Sequence, residues 1–234
     1  MKPLLSDEHF SVDGTLIEAW ASHRSFQPKD GSGGDGEDFH KQKRSNETHA
    51  SFTDPESRLY KKAKGKESRL CYMGHALMAN RNGLAVGDSV THATGTAERE
   101  AYEAMLAAKV KQTGKPATVG EDKHVLSFAE EAYDAASHGA ALRKLKVTPH
   151  VARSDALTKT GKRRRSIVSD AVAASEGHAM SQTRCKLIEC VFGWGKQHGT
   201  LRKTKHRGLA RVASDFLLNI IAYNLIRIPK LITA

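Results

Sequence analysis

Residues 9–22 read HFSVDGTLIEAWAS, and this stretch decides how the chain is understood. Phe10 and Val12 are apolar and bracket the approach to Asp13, so the segment from Leu4 to Ile17 leads into a strand with a carboxylate near its end. A strand end is a rigid place for a metal ligand. Two further acids stand in equally distinctive surroundings: Asp122 in VGEDK and Glu189 in CKLIECVFGWGK. Ala117 to Gly120 is a short strand candidate that delivers Asp122. Met180 to Lys196 reads as a helix, with Leu187, Val191 and Trp194 on one apolar stripe. Glu189 lies beside that stripe. Asp13, Asp122 and Glu189 together offer hard oxygen ligands for Mg²⁺ or Mn²⁺. Two such ions roughly 4 Å apart can activate a water and stabilise a leaving oxygen at phosphorus.

Positive charge supports a polyanionic partner. The chain has 234 residues, a formal net charge of +11 and 39% hydrophobic residues. The excess is uneven: from Leu142 to Arg211 there are 17 Lys or Arg against 4 Asp or Glu, so the remainder is slightly acidic. A concentrated basic portion is better evidence for a binding face than a diffuse excess. Within it, KRRR spans Lys162, Arg163, Arg164 and Arg165. LRKTKHRG supplies Arg202, Lys203, Lys205 and Arg207. Lys196 follows Glu189 by seven residues, about two helical turns, and so shares its face. The plainer reading of both basic runs is a solvated loop. Phosphate contact is favoured because more positive charge follows the first run within the same basic half.

Other function classes lose ground. The cysteines, Cys71, Cys185 and Cys190, form no CxxC pair, which argues against a disulfide framework or a cysteine-rich zinc site. No continuous run approaches the roughly 18 apolar residues of a membrane span, and there is no signal-peptide pattern, so no membrane partner and a cytoplasmic location are expected. Aromatic residues make up 6% of the chain, which gives little basis for RNA recognition by stacking.

The remaining segments alternate strands and helices. LCYMGHALMA, residues 70–79, is continuously apolar, NRNG is a turn signal and Leu84 to Val90 resumes a strand, which predicts an antiparallel hairpin. His75 lies inside it and reads as core. Thr96 is placed to cap a helix from Ala97 to about Lys109. Ser127 to Leu145 is helical, Val147 to Val151 a strand, and Arg211 to Arg227 a final amphipathic helix stopped by Pro229. Residues 26–67 are polar, with GSGGDGED reading as a flexible insertion.

Long blocks of this sequence resemble insertion-sequence transposases of the IS5 type, which carry a DDE domain. The residues are LLSDEHFSVDGTLIEAWAS from Leu4, TDPESRLYKKAKGKESRLCYMGHALMANRNGLAV from Thr53, ATGTAERE from Ala93, IECVFGWGK through LRKTKHRGLARV, and AYNLIRIPKLI near the end. The resemblance implies an α/β fold of ribonuclease-H-like type, a mixed sheet flanked by helices, spanning residues 1–234. It implies metal-dependent cutting and joining of element ends, with Asp13, Asp122 and Glu189 as the three acids and a two-metal site for Mg²⁺ or Mn²⁺. It implies double-stranded DNA with terminal inverted repeats as partner, a homo-oligomer when active, and a bacterial, nucleoid-associated setting. Residues 142–211 would be the DNA-contacting portion, and Lys196 matches the basic residue that follows the glutamate.

The sequence also departs from that pattern. Twelve residues precede Asp13, where family members usually carry a substantial N-terminal region, so an N-terminally truncated domain is expected. The second acid stands in EDKHVL instead of a block like ADKGYD. Gln182 and Cys185 occupy the places of a tyrosine and an arginine upstream of Glu189, with Arg184 adjacent. Two functions therefore compete: a transposase that cuts DNA, and a catalytically inactive remnant that binds it.

Overall fold

The computed structural model describes residues 4–6, 8–31, 44–61, 65–121, 132–151, 166 and 168–233. Its centre is β1 (His9–Glu18), a buried strand flanked on both sides. On one side β1 pairs antiparallel with β5 (Arg69–Ala79), Asp13 standing opposite Ala76. On the other it pairs parallel with β7 (Ala117–Glu121), Ser11 opposite Gly120. β8 (Val147–Val151) continues the sheet, parallel to β7. The far edge of β5 is shared: β4 (Arg58–Tyr60) covers its first residues and β6 (Leu84–His92) the rest. The result is a mixed sheet with helices on both faces, the ribonuclease-H-like topology expected from the sequence.

The elements follow from local chemistry. β5 is buried on both faces from Leu70 to Ala79, which is why its sequence shows no alternation. The expected hairpin with β6 is present, and Gly83 closes it at φ 68, a conformation that a side chain would strain. Parity along β1 assigns its two faces. Phe10 and Val12 join Tyr102, Met105 and Leu106 of α1 (Ala97–Thr113) and Leu142 of α2 (Ala132–Lys144) in one core. Ile17 joins the opposite core, with Ile188, Val191 and Phe192 of α5 (Ile188–Gln197) and Val212, Phe216 and Ile220 of α6 (Leu209–Ile232).

Several boundaries differ from the sequence reading, each for a physical reason. Asp13 sits in the middle of β1 because pairing with β5 continues through Glu18. Thr96 makes no side-chain cap to α1. The Ala97 N–H instead donates to Thr94 Oγ1 at 3.2 Å. The helix expected over Met180–Lys196 is broken into α4 (Glu176–Arg184), a 3₁₀ turn at Cys185–Leu187, and α5. A short α3 (Asp170–Ala173) precedes α4. Pro229 lies inside α6, where the final turn continues to Ile232 because Thr233 N–H bonds the Pro229 carbonyl. By length and composition α6 is apolar enough to cross a membrane. Its Val212, Phe216, Ile220 and Tyr223 are nevertheless buried in the fold.

Residues 26–67 contribute more than loop. β2 (Phe26–Pro28) pairs with β3 (His49–Ser51), and β4 joins the main sheet. Most of GSGGDGED lies outside the described residues. Asp54 and Ser57 are both 1% exposed. Asp54 Oδ1 accepts the Tyr72 hydroxyl at 2.6 Å and the Gly208 N–H at 3.1 Å, while Glu56 Oε2 accepts the Leu209 N–H at 3.0 Å. Two carboxylates from a distant segment thus cap the start of α6, which has no acid in its own first turn.

Candidate metal and nucleic-acid site

Asp13 alternates with Ser11 and Ile17 and so faces the layer of α4, α5 and α6. Ser11 marks that face: a side chain at Gly120 would meet both Ser11 Oγ and Cys185 Cβ at 3.2 Å. The absence of a side chain at Gly120 lets the 3₁₀ turn before α5 lie directly over the ends of β1 and β7. α5 packs on β1, and Glu189 stands exposed in its first turn. Asp13, half-buried, accepts the Gly14 N–H at 2.7 Å on Oδ1. The fold therefore brings Asp13 and the helix carrying Glu189 to one face of the sheet. Asp122 lies outside the described residues, immediately after Glu121, where β7 ends beside β1. Among the described residues no three His, Cys, Asp or Glu side chains are grouped to hold a metal.

Behind the end of β7 is a buried ionic clamp that the sequence reading missed. His138 of α2 is 2% exposed and Glu121 is 1% exposed. His138 Nδ1 meets Glu103 Oε1 of α1 at 2.7 Å, and its Nε2 meets Glu121 Oε2 at 3.1 Å. Burial alone would lower the His138 pKa, but the hydrogen bond and charge of Glu121, then those of Glu103, outweigh it and raise the pKa. One imidazole ring ties two helices to the strand that leads to Asp122. Three residues on separate elements carry no common motif, so sequence offered no signal for it.

Two further histidines, His75 and His150, have lowered pKa values and structural partners. His75 is fully buried, bonds Thr91 Oγ1 at 2.8 Å, and has its pKa pushed down to about 4 by burial, in keeping with a core role. His150 is likewise lowered to about 4 by burial and by the charges of His178 and His9. It bonds Ser181 Oγ at 2.7 Å. Gln182, at the position where the resembling family has tyrosine, donates to the His150 carbonyl and ties α4 to β8. Cys185 Sγ turns back to the Gln182 carbonyl at 3.2 Å, so it offers no cation towards Glu189.

The basic residues divide into paired and unpaired. Residues 202–204 lie along the end of β1: Glu18 N–H bonds the Arg202 carbonyl at 3.3 Å and Thr204 N–H bonds the Glu18 carbonyl at 2.9 Å. Lys203 Nζ is 3.0 Å from Glu18 Oε1, and Arg69 approaches Glu18 Oε2 at 2.8 Å. Burial opposes the Glu18 charge, yet Lys203 and then Arg69 hold its pKa below the usual carboxylate value. Arg202, Lys205 and Arg207 are exposed, with no carboxylate partner among the described residues. Lys196 is half-buried in the last turn of α5. Lys162, Arg163, Arg164 and Arg165 lie outside the described residues.

A sequence profile for the family described as Transposase DDE domain matches residues 5–225. Among solved structures, the piggyBac transposase synaptic complex with hairpin DNA is similar at a TM-score of 0.43 and 11% identity, over 92% of this chain and 45% of that chain. The Mos1 transposase paired-end complex with left transposon end gives 0.31 and 11%, over 78% of this chain and 53% of that chain. The chain thus spans about half the length of the solved chains it matches. No curated protein matches it. With the profile covering nearly the whole chain, over a sheet that carries Asp13 on its central strand and a helix that carries Glu189, this protein belongs to the DDE transposase family, whose members act on DNA.

Proposed function

We propose that this chain is a DNA-binding remnant of an IS5-type insertion-sequence transposase, a single DDE domain that keeps the fold and the charge but not the strand chemistry. The observation that carries the reading is the segment Arg202–Arg207, pinned to the end of β1, with Arg202, Lys205 and Arg207 exposed and without a carboxylate partner among the described residues of a DDE-family fold. Residues 142–211 form the DNA-contacting portion, with Lys162 to Arg165 and Lys196 adding phosphate contacts. The departures at EDKHVL, Gln182 and Cys185 favour lost chemistry, since the last two side chains serve α4 and β8 instead. Its setting is the bacterial cytoplasm, on the nucleoid.

A second reading, an active transposase, has an observation of its own. β7 ends beside β1, one residue before Asp122, and Asp13 faces the α5 layer. Asp13 and Glu189 supply hard carboxylate oxygens, a donor set that suits Mg²⁺ or Mn²⁺, with Asp122 as the third ligand. Ions bound there would activate water and stabilise the leaving oxygen. An active form would work on terminal inverted repeats as a homo-oligomer. The test is to incubate the chain with Mn²⁺ and a supercoiled plasmid carrying the element ends, beside Glu189→Gln. The remnant reading expects salt-sensitive DNA binding without nicking by either protein. Nicking by the parent and not by Glu189→Gln would establish the active reading, and no DNA binding at low salt would overturn both.

A further inference from the structure

Among the described residues the large exposed aromatic side chains are Trp20 and Phe52, at 50% and 64% exposure. Both flank the short stretch Ser22–Phe26: Trp20 precedes it, and Phe52 N–H bonds the Ser25 carbonyl at 2.9 Å. A single exposed aromatic is ordinary. What sets Trp20 apart is how firmly its surroundings are built. The Ala19 N–H is bonded to the Leu70 carbonyl at 2.9 Å, and Glu18 is fixed to residues 202–204 through both its N–H and its carbonyl. Lys203, held by Glu18, places its ammonium 5.6 Å from the Trp20 ring centroid. That cation covers part of the ring, and half of the residue stays open to solvent. Arg24, four residues after Trp20, and Arg202, Lys205 and Arg207, within four residues of Lys203, are exposed and have no carboxylate partner among the described residues.

A held, half-open indole among exposed cations is the pair of features that binds single-stranded nucleic acid: a π-face for a base and positive charge for the backbone. We infer that Trp20, backed by Lys203, is a stacking platform for an unpaired base of single-stranded DNA. The inference rests on the DNA-binding reading above and adds a preference to it.

The experiment uses the full chain carrying Trp194→Phe, which leaves Trp20 as the sole tryptophan. Its fluorescence is followed during titration with oligo(dT) and with a duplex of equal length, at several salt concentrations. Saturable quenching by oligo(dT) is expected. Trp20→Ala, in the otherwise unaltered chain and read by fluorescence anisotropy, should lower single-strand affinity about 10-fold with the salt slope unchanged, whereas Trp20→Phe should retain most of it. Duplex affinity should change little in either variant. Oligo(dT) binding without quenching, or with affinity unmoved by Trp20→Ala, would overturn the platform while leaving DNA binding intact. Equal losses on single strand and duplex would also overturn it. If neither DNA binds, the DNA-binding reading falls, and this inference with it.

Discussion

The two faces of β1 are built to different standards. Towards α1 and α2, Phe10 and Val12 close a dry core with Tyr102 and Leu106, and the charge nearby is neutralised by the His138 clamp. Towards α4 and α5, the same strand presents Ser11, Asp13 and Thr15 before it returns to an apolar residue at Ile17. Both faces hold a core, but on the second Ser11 and Thr15 are buried while Asp13 is half-buried, where a charged ligand can reach it. Stability and chemistry are thereby separated by one residue of register. Substitutions in either core should change folding, and substitutions at the half-buried Asp13 and the exposed Glu189 should change function at nearly constant stability.

The clamp gives the largest expected effect. His138→Ala leaves Glu121 buried and unpaired, and should cost about 3–5 kcal/mol in urea-induced unfolding. A loss below about 1 kcal/mol would mean that the two faces are not so different. Asp54→Ala removes charged hydrogen bonds to Tyr72 and to the start of α6 and should cost about 2–3 kcal/mol in the same measurement.

Acidity separates the histidines further. The His138 pKa is raised in the folded protein, so its stabilisation is complete below the unfolded value of roughly 6.5 and fades as pH rises through the folded value. His75 is depressed to about 4, so its contribution is present above roughly pH 6.5 and declines as pH falls towards 4. Comparing parent and His138→Gln across pH 5–9 should show the parent losing its advantage on the alkaline side. An advantage growing with pH would contradict the clamp's charge.

On the other face, Glu189→Gln should shift stability by no more than about 0.5 kcal/mol, because Glu189 is exposed. A larger loss would assign this glutamate a structural role. The smallest effect expected is in salt dependence. Lys205→Ala should reduce the slope of log affinity against log salt by about 0.9. Lys203→Ala should reduce it less, since Lys203 is already engaged by Glu18. Equal changes would show that DNA displaces Glu18.

Local patterns reported the elements well. Continuous apolar character gave β5, Asn-Gly gave the turn to β6, and the three-and-four spacing of Leu187, Val191 and Trp194 gave the helix that carries Glu189. These are properties of neighbouring residues, so a single sequence contains them. The run through α4 and α5 was legible as helix, but its break at Cys185–Leu187 was not, because that break reflects close approach to Gly120 on another strand.

The sequence by itself determined most of the main strands and helices, though not β2, β3, β4 or α3, together with the acids worth watching and the concentration of positive charge, because those depend on periodicity and composition. Only the tertiary structure decided that Asp13 lies mid-strand facing α5, that Asp54 and Glu56 cap a helix more than 150 residues away, that Glu121 is neutralised through His138, and that Lys203 is spent on Glu18 and Trp20. Each of these is a meeting of polar groups from separate elements. Their energies depend on burial and distance, and neither quantity exists until the sheet has closed.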